Sequence, residues 1–226
     1  MSVSPYLDQG SIQYPSSDGK PLADNTLQLR WIVYLYSNLQ WWFRDQKVFI
    51  AADLLWYPVQ GEPGITKAPD VMVAFDRPDG DRLSYKQWEE ENIAPKVVIE
   101  VLSSSNRALE MIEKQHWYAR YGVEEFIIID PDQKRFVPMI RQGGHLVQSD
   151  FPPVSWQSPN LGIWLRRSDD DLKVFFPDET PFKTLTESQL EVQNAQLEAE
   201  QQRKRAEAAE AELERLRQQL KEQGDG

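Results

Sequence analysis

The sequence predicts an α/β protein with a mixed central sheet flanked by helices and followed by a long C-terminal helix. Three short apolar segments at residues 71–75, 97–102 and 126–130 have the continuous hydrophobic character of strands that are buried on both faces. A helical segment separates the last two strands, which is the order expected of a crossover unit in a mixed sheet. Proline, glycine and aromatic residues are all absent from residues 184–222, and this absence predicts the terminal helix.

The composition limits the class of protein. The 226 residues are 40% hydrophobic and 11% aromatic, which predicts one domain of ordinary size and an appendage. The chain has no cysteine, so disulfides and thiolate metal sites are excluded. It has neither an apolar run of roughly 20 residues nor a secretory start, so we expect a cytoplasmic protein. The net charge of −11 argues against a strongly basic protein that coats nucleic acid, but it leaves a local basic groove open.

The composition also divides the chain into a lead-in, a domain and a tail. Residues 1–23 are rich in Ser, Pro, Gly and Asp and predict an irregular lead-in, residues 24–182 the folded domain, and residues 183–226 the helical tail. The domain is expected to start with a helix at Asp24, where that residue or either of the next two can cap it. We interpret the aromatic residues of this helix as core packing rather than as a surface that stacks nucleic-acid bases.

The other elements of the domain follow from apolar runs that are separated by Gly and Pro loops. A helix over about 107–121 should end at Gly122, because glycine readily adopts the left-handed conformation that closes a helix. The remaining predictions are one or two strands within 47–57, a loop with a short helical piece around Tyr85 and Trp88 within 76–91, strands at 135–140 and 145–147, and apolar pieces at 161–165 and 174–176 that complete the domain edge.

The tail carries a weak heptad pattern, with seam residues that recur at steps of three and four as in a coiled coil. Alanine fills much of this seam and Gln202 interrupts it, so little apolar area is available for burial. Two interpretations remain open: a dimeric coiled coil that is strongest near Leu213–Leu220, and a solvated single helix. The seam residues are Leu185, Ser188, Val192, Ala195, Ala199, Gln202, Ala206, Ala209, Leu213, Leu216 and Leu220.

Two carboxylates occupy strands of apolar composition. Asp70 opens the strand at 71–75, and Glu100 lies inside the strand at 97–102. A buried carboxylate is costly unless a positive charge or hydrogen bonds compensate it. If the two strands are neighbours, the carboxylates can converge and hold a hard, oxygen-seeking cation such as Mg²⁺. Lys114 lies on the expected sheet-facing side of the following helix, where its ammonium group could stabilise charge on a phosphate.

Each of these three residues also has an interpretation that needs no metal. Asp70 follows a proline and can cap a turn. Glu100 can form a buried ion pair with Lys114 or with Arg107. Lys114 can extend its ammonium group into solvent along its alkyl stem. The sequence leaves these alternatives open.

The same residues match a known set of motifs. This combination resembles the Uma-type restriction endonucleases, a family abundant in cyanobacteria that belongs to the PD-(D/E)XK nuclease superfamily. The resemblance covers roughly residues 54–131. It implies a restriction-endonuclease-like core in which Asp70, Glu100 and the backbone carbonyl of Val101 hold a divalent metal. The matching residues are Pro69-Asp70, Ile99-Glu100-Val101-Leu102-Ser103, Lys114, Tyr118, Gly122-Val123-Glu124-Glu125-Phe126 and Asp130-Pro131.

The chain departs from the superfamily pattern at its lysine. That lysine normally lies two residues after the glutamate, and Leu102 occupies this position here. Lys114 is the residue that matches the helix lysine of Uma-type proteins. The first helix has no acidic residue between Leu27 and Phe43 that could add a metal ligand. The spacing of Asp53 does not decide whether that residue joins the site.

These observations predict a metal-dependent endonuclease that hydrolyses DNA phosphodiester bonds with Mg²⁺ or Mn²⁺, with Asp70, Glu100 and Lys114 as its catalytic residues. DNA is the expected partner, together with a second copy of the chain if the tail is a coiled coil. The alternative belongs to another class: a nuclease-like domain without activity that acts as an interaction module through its coiled coil. His116 and His145 are isolated in the sequence and predict no metal pair.

Overall fold

The computed structural model of the protein describes residues 12–19, 21–103, 108–148 and 153–224, with side chains of the last helix described as far as Arg217. The chain forms two compact units, residues 1–182 and residues 183–226, and each is described by itself. Most of the predicted lead-in and Arg107, a predicted ion-pair partner of Glu100, lie outside the described residues.

The described residues form three α-helices and eleven strands in a mixed order. A single 3-10 turn at Gln87–Glu89 follows the fourth strand. The helices are α1 (Thr26–Phe43), α2 (Ala108–Tyr121) and α3 (Leu185–Gly224). The strands are β1 (Val48–Ala51), β2 (Trp56–Tyr57), β3 (Val71–Phe75), β4 (Tyr85–Lys86), β5 (Val97–Val101), β6 (Glu125–Asp130), β7 (Arg135–Gln142), β8 (His145–Gln148), β9 (Ser155–Gln157), β10 (Trp164–Arg167) and β11 (Leu172–Phe175).

The predicted mixed central sheet is confirmed. Its six strands lie in the order β1-β3-β5-β6-β7-β8. Strands β5 and β6 pair in parallel with α2 between them in the chain, which is the predicted crossover unit. The other pairs of this sheet are antiparallel. The strands that carry Asp70 and Glu100 are therefore neighbours.

Helix α1 covers one face of the central sheet. The Asn25 side chain accepts a hydrogen bond from the Gln28 N–H and so caps the start of the helix, as the sequence predicted. Ile32, Leu35 and Leu39 follow at steps of three and four and are fully buried. They pack with alternate residues of the central strands and with the small sheet β11-β10-β9 in one apolar cluster.

Helix α2 covers the opposite face of the sheet. Met111, Tyr118 and Ala119 are buried there against the other alternate set of strand residues. The helix is followed by Gly122 at a φ of +109°, and a Cβ atom added at this position would lie 2.9 Å from the Cβ of Ala94. Both the conformation and the close approach require glycine, so the predicted stop at Gly122 is confirmed.

Two parts of the fold differ from the prediction. Tyr85 was expected in a loop with a short helical piece, but it begins strand β4, which pairs in parallel with Trp56 of β2 ahead of the 3-10 turn. The sequence could not show this pair, because a two-residue strand has no periodicity. The segment after residue 152 was expected to complete the domain edge, whereas strands β9, β10 and β11 form a separate antiparallel sheet.

The second unit is dominated by α3, which runs for 40 residues and confirms the predicted long C-terminal helix. Its described side chains, from Leu185 to Arg217, are all exposed. Thr184 caps the helix through a reciprocal pair of hydrogen bonds with Glu187. None of the described helices is long and apolar enough to serve as a transmembrane helix.

Candidate active site

The sheet register brings the two predicted acids together. Val71 of β3 is paired with Ile99 of β5, and the next step of this antiparallel register sets Asp70 opposite Glu100. Opposed residues of neighbouring strands have Cβ atoms about 5 Å apart. Because side chains alternate along a strand, Asp70 and Glu100 lie on the α2 face of the sheet. Apolar strand neighbours occupy the other face.

Glu100 is held by two side chains of α2. It is only 2% exposed. One carboxylate oxygen accepts a hydrogen bond from the Lys114 ammonium group at 2.7 Å, and the other accepts one from the Tyr118 hydroxyl at 2.5 Å. Burial, followed by repulsion from Glu100, raises the pKa of the Tyr118 hydroxyl well above its ordinary value, so this group stays a neutral donor. Glu100 is therefore fixed in one orientation.

Asp70 is held by the backbone of the neighbouring strand. Its Oδ2 accepts a hydrogen bond from the Val101 N–H at 2.7 Å. Burial, together with repulsion from Glu100, raises the pKa of the Asp70 carboxyl from 3.8 to about 8, although the Val101 hydrogen bond and Lys114 act in the opposite direction. The charged form of Asp70 is therefore unfavourable here without an additional cation.

Lys114 provides positive charge beside Glu100. Its side chain is 16% exposed, and its ammonium group ends on Glu100 rather than extending into solvent. Burial by itself would lower the pKa of this amine, but attraction to Glu100, Asp70 and Glu110 outweighs it and raises the pKa. The predicted ion pair with Glu100 is present, and Lys114 remains an ammonium group at neutral pH.

Asp70 and Lys114 open into a cavity of about 530 Å³. Asp53, the residue that the sequence left undecided, lines the same cavity. Asp53 has a φ of +50°, and its N–H donates to the Pro69 carbonyl at 3.0 Å, which holds it close to the strand of Asp70. Burial and then repulsion from Asp18 and Glu100 raise its pKa. The cavity is lined by five acids, Asp18, Asp24, Asp53, Asp70 and Glu110, and by two lysines, Lys67 and Lys114.

Comparison with known proteins identifies the family. A family model described as "Uma2: Putative restriction endonuclease" matches residues 11–174. The chain belongs to the Uma2 family. It is also similar to a crystal structure described as a "putative nuclease belonging to DUF820 from Anabaena variabilis ATCC 29413", at 16% identity and a TM-score of 0.45, over 68% of this chain and 79% of the other. No curated protein matches the sequence.

Membership in the Uma2 family confirms the resemblance seen in the sequence and suggests a nuclease. The superfamily lysine position also has a structural explanation. Leu102, directly after β5, is partly buried and packs against the apolar cluster beneath α2. An ammonium group at the strand position would displace that packing. Lys114 instead reaches Glu100 from the helix above it.

The candidate site contains a buried residue that the sequence did not reveal. Gln28 in the first turns of α1 is 6% exposed. Its amide donates to the Val101 carbonyl at 2.8 Å, and its side-chain oxygen accepts from the Asp24 N–H at 2.8 Å. The signal was present, because Gln28 begins the i, i+4 stripe that continues with Ile32, and a polar residue in a buried stripe needs partners.

The oxygen donors of this site fit a hard divalent cation. Asp70 uses Oδ2 for the Val101 N–H, and the Val101 carbonyl keeps a second lone pair beside the one that Gln28 engages. In the part of the chain that the structure describes, no group of three or more His, Cys, Asp or Glu side chains is arranged to hold a metal. An ion here would need backbone, water or substrate oxygens as further ligands.

Proposed function

We propose that this protein is a Mg²⁺-dependent endodeoxyribonuclease that hydrolyses phosphodiester bonds in DNA. One observation carries the proposal: Asp70 and Glu100 lie opposite each other at the end of two central strands, Lys114 is bonded to Glu100, and Asp70 and Lys114 line one cavity. Membership in the Uma2 family supports the nuclease class. Asp70, Glu100 and the carbonyl of Val101 are the proposed ligands, and Mn²⁺ is an alternative ion.

Asp70 is the residue of the site whose electrostatics most favour a bound cation. A carboxyl group with a pKa of about 8 is largely protonated at neutral pH, and a protonated carboxyl is a poor ligand. A divalent ion favours the carboxylate form and offsets the repulsion between Asp70 and Glu100. The Lys114 ammonium group offsets only one of these two negative charges. The pair of carboxylates therefore lacks positive charge, which a divalent ion would supply.

Each protein group has a separate role in the proposed reaction. A bound divalent ion would polarise the phosphodiester and lower the pKa of a coordinated water. The Lys114 ammonium group lines the cavity and can donate to a phosphate oxygen as negative charge develops there. Tyr118 orients Glu100, and the Val101 N–H orients Asp70. Lys67, which also lines the cavity, is the proposed contact for a neighbouring DNA phosphate.

The test is cleavage of plasmid DNA with Mg²⁺ or Mn²⁺. We expect the parent to nick or cut the plasmid, and Asp70→Asn, Glu100→Gln and Lys114→Ala to lose this activity. Glu113→Gln, an exposed change on the same helix, is the matched control and should retain it.

Mn²⁺ binding followed by electron paramagnetic resonance supplies a second readout. Asp70→Asn should weaken binding, whereas Lys114→Ala should leave the ligands in place. Equal cleavage by the parent and all three site variants would exclude the assignment. A folded parent that binds no Mn²⁺ and cuts no DNA would favour the alternative, an interaction module with a Glu100–Lys114 ion pair in its core.

A further inference from the structure

Helix α3 carries an apolar seam whose described side chains, as far as Leu216, are exposed. The seam is the set of a and d positions of a heptad in which Leu185 is the first a residue. Leu213 and Leu216, the largest of its described C-terminal members, are each 48% exposed. An exposed row of this kind on a 40-residue helix is the surface that a coiled coil buries.

The charges beside the seam alternate in sign. The g positions, one residue before each a position, carry Glu, Arg and Glu over residues 198–212. The e positions, one residue after each d position, carry Arg, Glu and Arg over residues 203–217. In a parallel two-stranded coiled coil, each g residue contacts the e residue five positions later on the other helix. The facing pairs would be Glu198–Arg203, Arg205–Glu210 and Glu212–Arg217.

We propose that two copies of the chain associate through α3 as a parallel, in-register coiled coil. All three kinds of facing pair are then oppositely charged, and each occurs twice by symmetry. Gln202 at a d position faces Gln202 of the second copy, so that each side-chain amide has a partner that can both donate and accept. Leu213 and Leu216 face their own copies and form the strongest part of the interface.

An antiparallel pair satisfies fewer of these groups. Its best register sets Ala206 opposite Ala209 and keeps two kinds of opposite-charge contact, Arg203 with Glu210 and Arg205 with Glu212. That register also sets Gln202 against Leu213, where the buried amide has no partner. The charges and the single polar seam residue therefore both favour the parallel arrangement.

The charged side chains are available for this purpose. Within the described part of α3, Arg203 is paired with Glu207 at 3.3 Å and Glu212 with Arg215 at 2.9 Å, both at exposed sites where such pairs contribute little. The two helices of a parallel coiled coil begin at the same end. Both copies of residues 1–182 would then be tethered to that end of the coiled coil, which raises the local concentration of each copy near the other.

Disulfide cross-linking tests the orientation, because the chain has no cysteine of its own. Ala195→Cys introduces one thiol at a d position. Oxidation of the full chain should give a covalent dimer if the two helices are parallel and in register. In the antiparallel register, residue 195 lies opposite residue 220, and the two thiols are about 37 Å apart at a rise of about 1.5 Å per residue. Ala211→Cys, on the outer face of the helix, is the control and should not cross-link.

Charge reversal measured by sedimentation equilibrium tests the facing pairs. Glu212→Arg or Arg217→Glu should weaken dimerisation about tenfold, since two attractive contacts become repulsive. The double variant should restore it. Glu214→Arg makes the same change of charge one position outside the interface and should have little effect, with helix content checked by circular dichroism.

A parent that stays monomeric at every concentration, a trimer, or Ala195→Cys that fails to cross-link would overturn the proposal. None of these measurements depends on nuclease activity.

Discussion

Two buried glutamates on neighbouring strands, Glu100 and Glu125, show how similar burial serves different ends. Glu125 is 0% exposed and Glu100 is 2% exposed. Glu125 accepts hydrogen bonds from the Ser158 hydroxyl and from the backbone and side-chain nitrogens of Asn160. It thereby fastens the loop before β10 to the central sheet.

The partners of Glu100 differ in charge and in surroundings. Glu100 is bonded to an ammonium group and lies opposite a second acid, Asp70, which lines a cavity. The described hydrogen-bond donors to Glu125 are all neutral, and one of them, the Ser158 hydroxyl, in turn accepts a hydrogen bond from the Leu161 N–H. Burial alone therefore does not identify a functional carboxylate. The charge balance of its neighbours does.

The largest difference between the two glutamates should appear in the rate of plasmid cleavage. Glu100→Gln keeps the shape and one acceptor of the side chain but removes its charge, so we expect plasmid cleavage to fall by about a thousandfold. Glu125→Gln makes the same chemical change in the other glutamate and should leave the cleavage rate of the folded enzyme within about fivefold of the parent. Initial rates of supercoiled plasmid loss with Mg²⁺ measure both. A similar loss in the two variants would remove the distinction.

The next largest effect should be the dependence of stability on pH that Asp70 causes. Because the pKa of Asp70 is raised in the folded state to about 8, from an ordinary value of 3.8, the folded protein binds more protons than the unfolded chain between these values. Its contribution to stability is complete below about pH 4 and is lost as the pH rises through about 8. The loss is on the order of 3 to 5 kcal/mol, and Asp70→Asn should abolish it.

Urea unfolding at several pH values without divalent ions measures this effect. The parent should lose stability relative to Asp70→Asn as the pH increases from 4 to 8. Adding Mg²⁺ should restore part of the stability of the parent and little of that of Asp70→Asn, because a ligand that binds only the folded state stabilises it. Parallel curves for the two proteins would show that Asp70 is not in the environment described.

Glu125 should contribute mainly to the stability of the fold, whereas Glu100 should contribute mainly to DNA cleavage. Glu125→Ala leaves the Ser158 hydroxyl and the Asn160 nitrogens without their acceptor, so we expect a loss of about 2 to 3 kcal/mol in the free energy of unfolding. Glu124→Ala removes a half-exposed neighbour that pairs with Lys96 at 3.4 Å and should cost less than about 0.5 kcal/mol. Urea denaturation at neutral pH compares the two. An equal loss would mean that the network around Glu125 is not structural.

The sequence predicted those parts of the site whose signals are local. Asp70 and Glu100 stand out because a carboxylate in an apolar strand is expensive, and Lys114 because it lies in the apolar stripe of a short helix. Glu125 gave no comparable signal, since its partners lie 33 and 35 residues away and become neighbours only when the second sheet forms. The pairing of β2 with β4 was not predicted either, because strands of two residues have no periodicity that the sequence could reveal.

The smallest effect concerns Gln28, whose partner Val101 is 73 residues away. Gln28→Met keeps the length of the side chain but removes the hydrogen bonds to the Val101 carbonyl and the Asp24 N–H, so we expect a loss of about 1 to 2 kcal/mol in stability. Gln40→Met is the matched control, because Gln40 also donates from α1 to a strand carbonyl, that of Ile50, but away from the two acids. Both variants should be destabilised by similar amounts. Only Gln28→Met should also weaken Mn²⁺ binding, because the Val101 carbonyl that Gln28 holds is one of the proposed ligands. Equal Mn²⁺ affinity in the two variants would mean that the Val101 carbonyl does not contribute to binding of the ion.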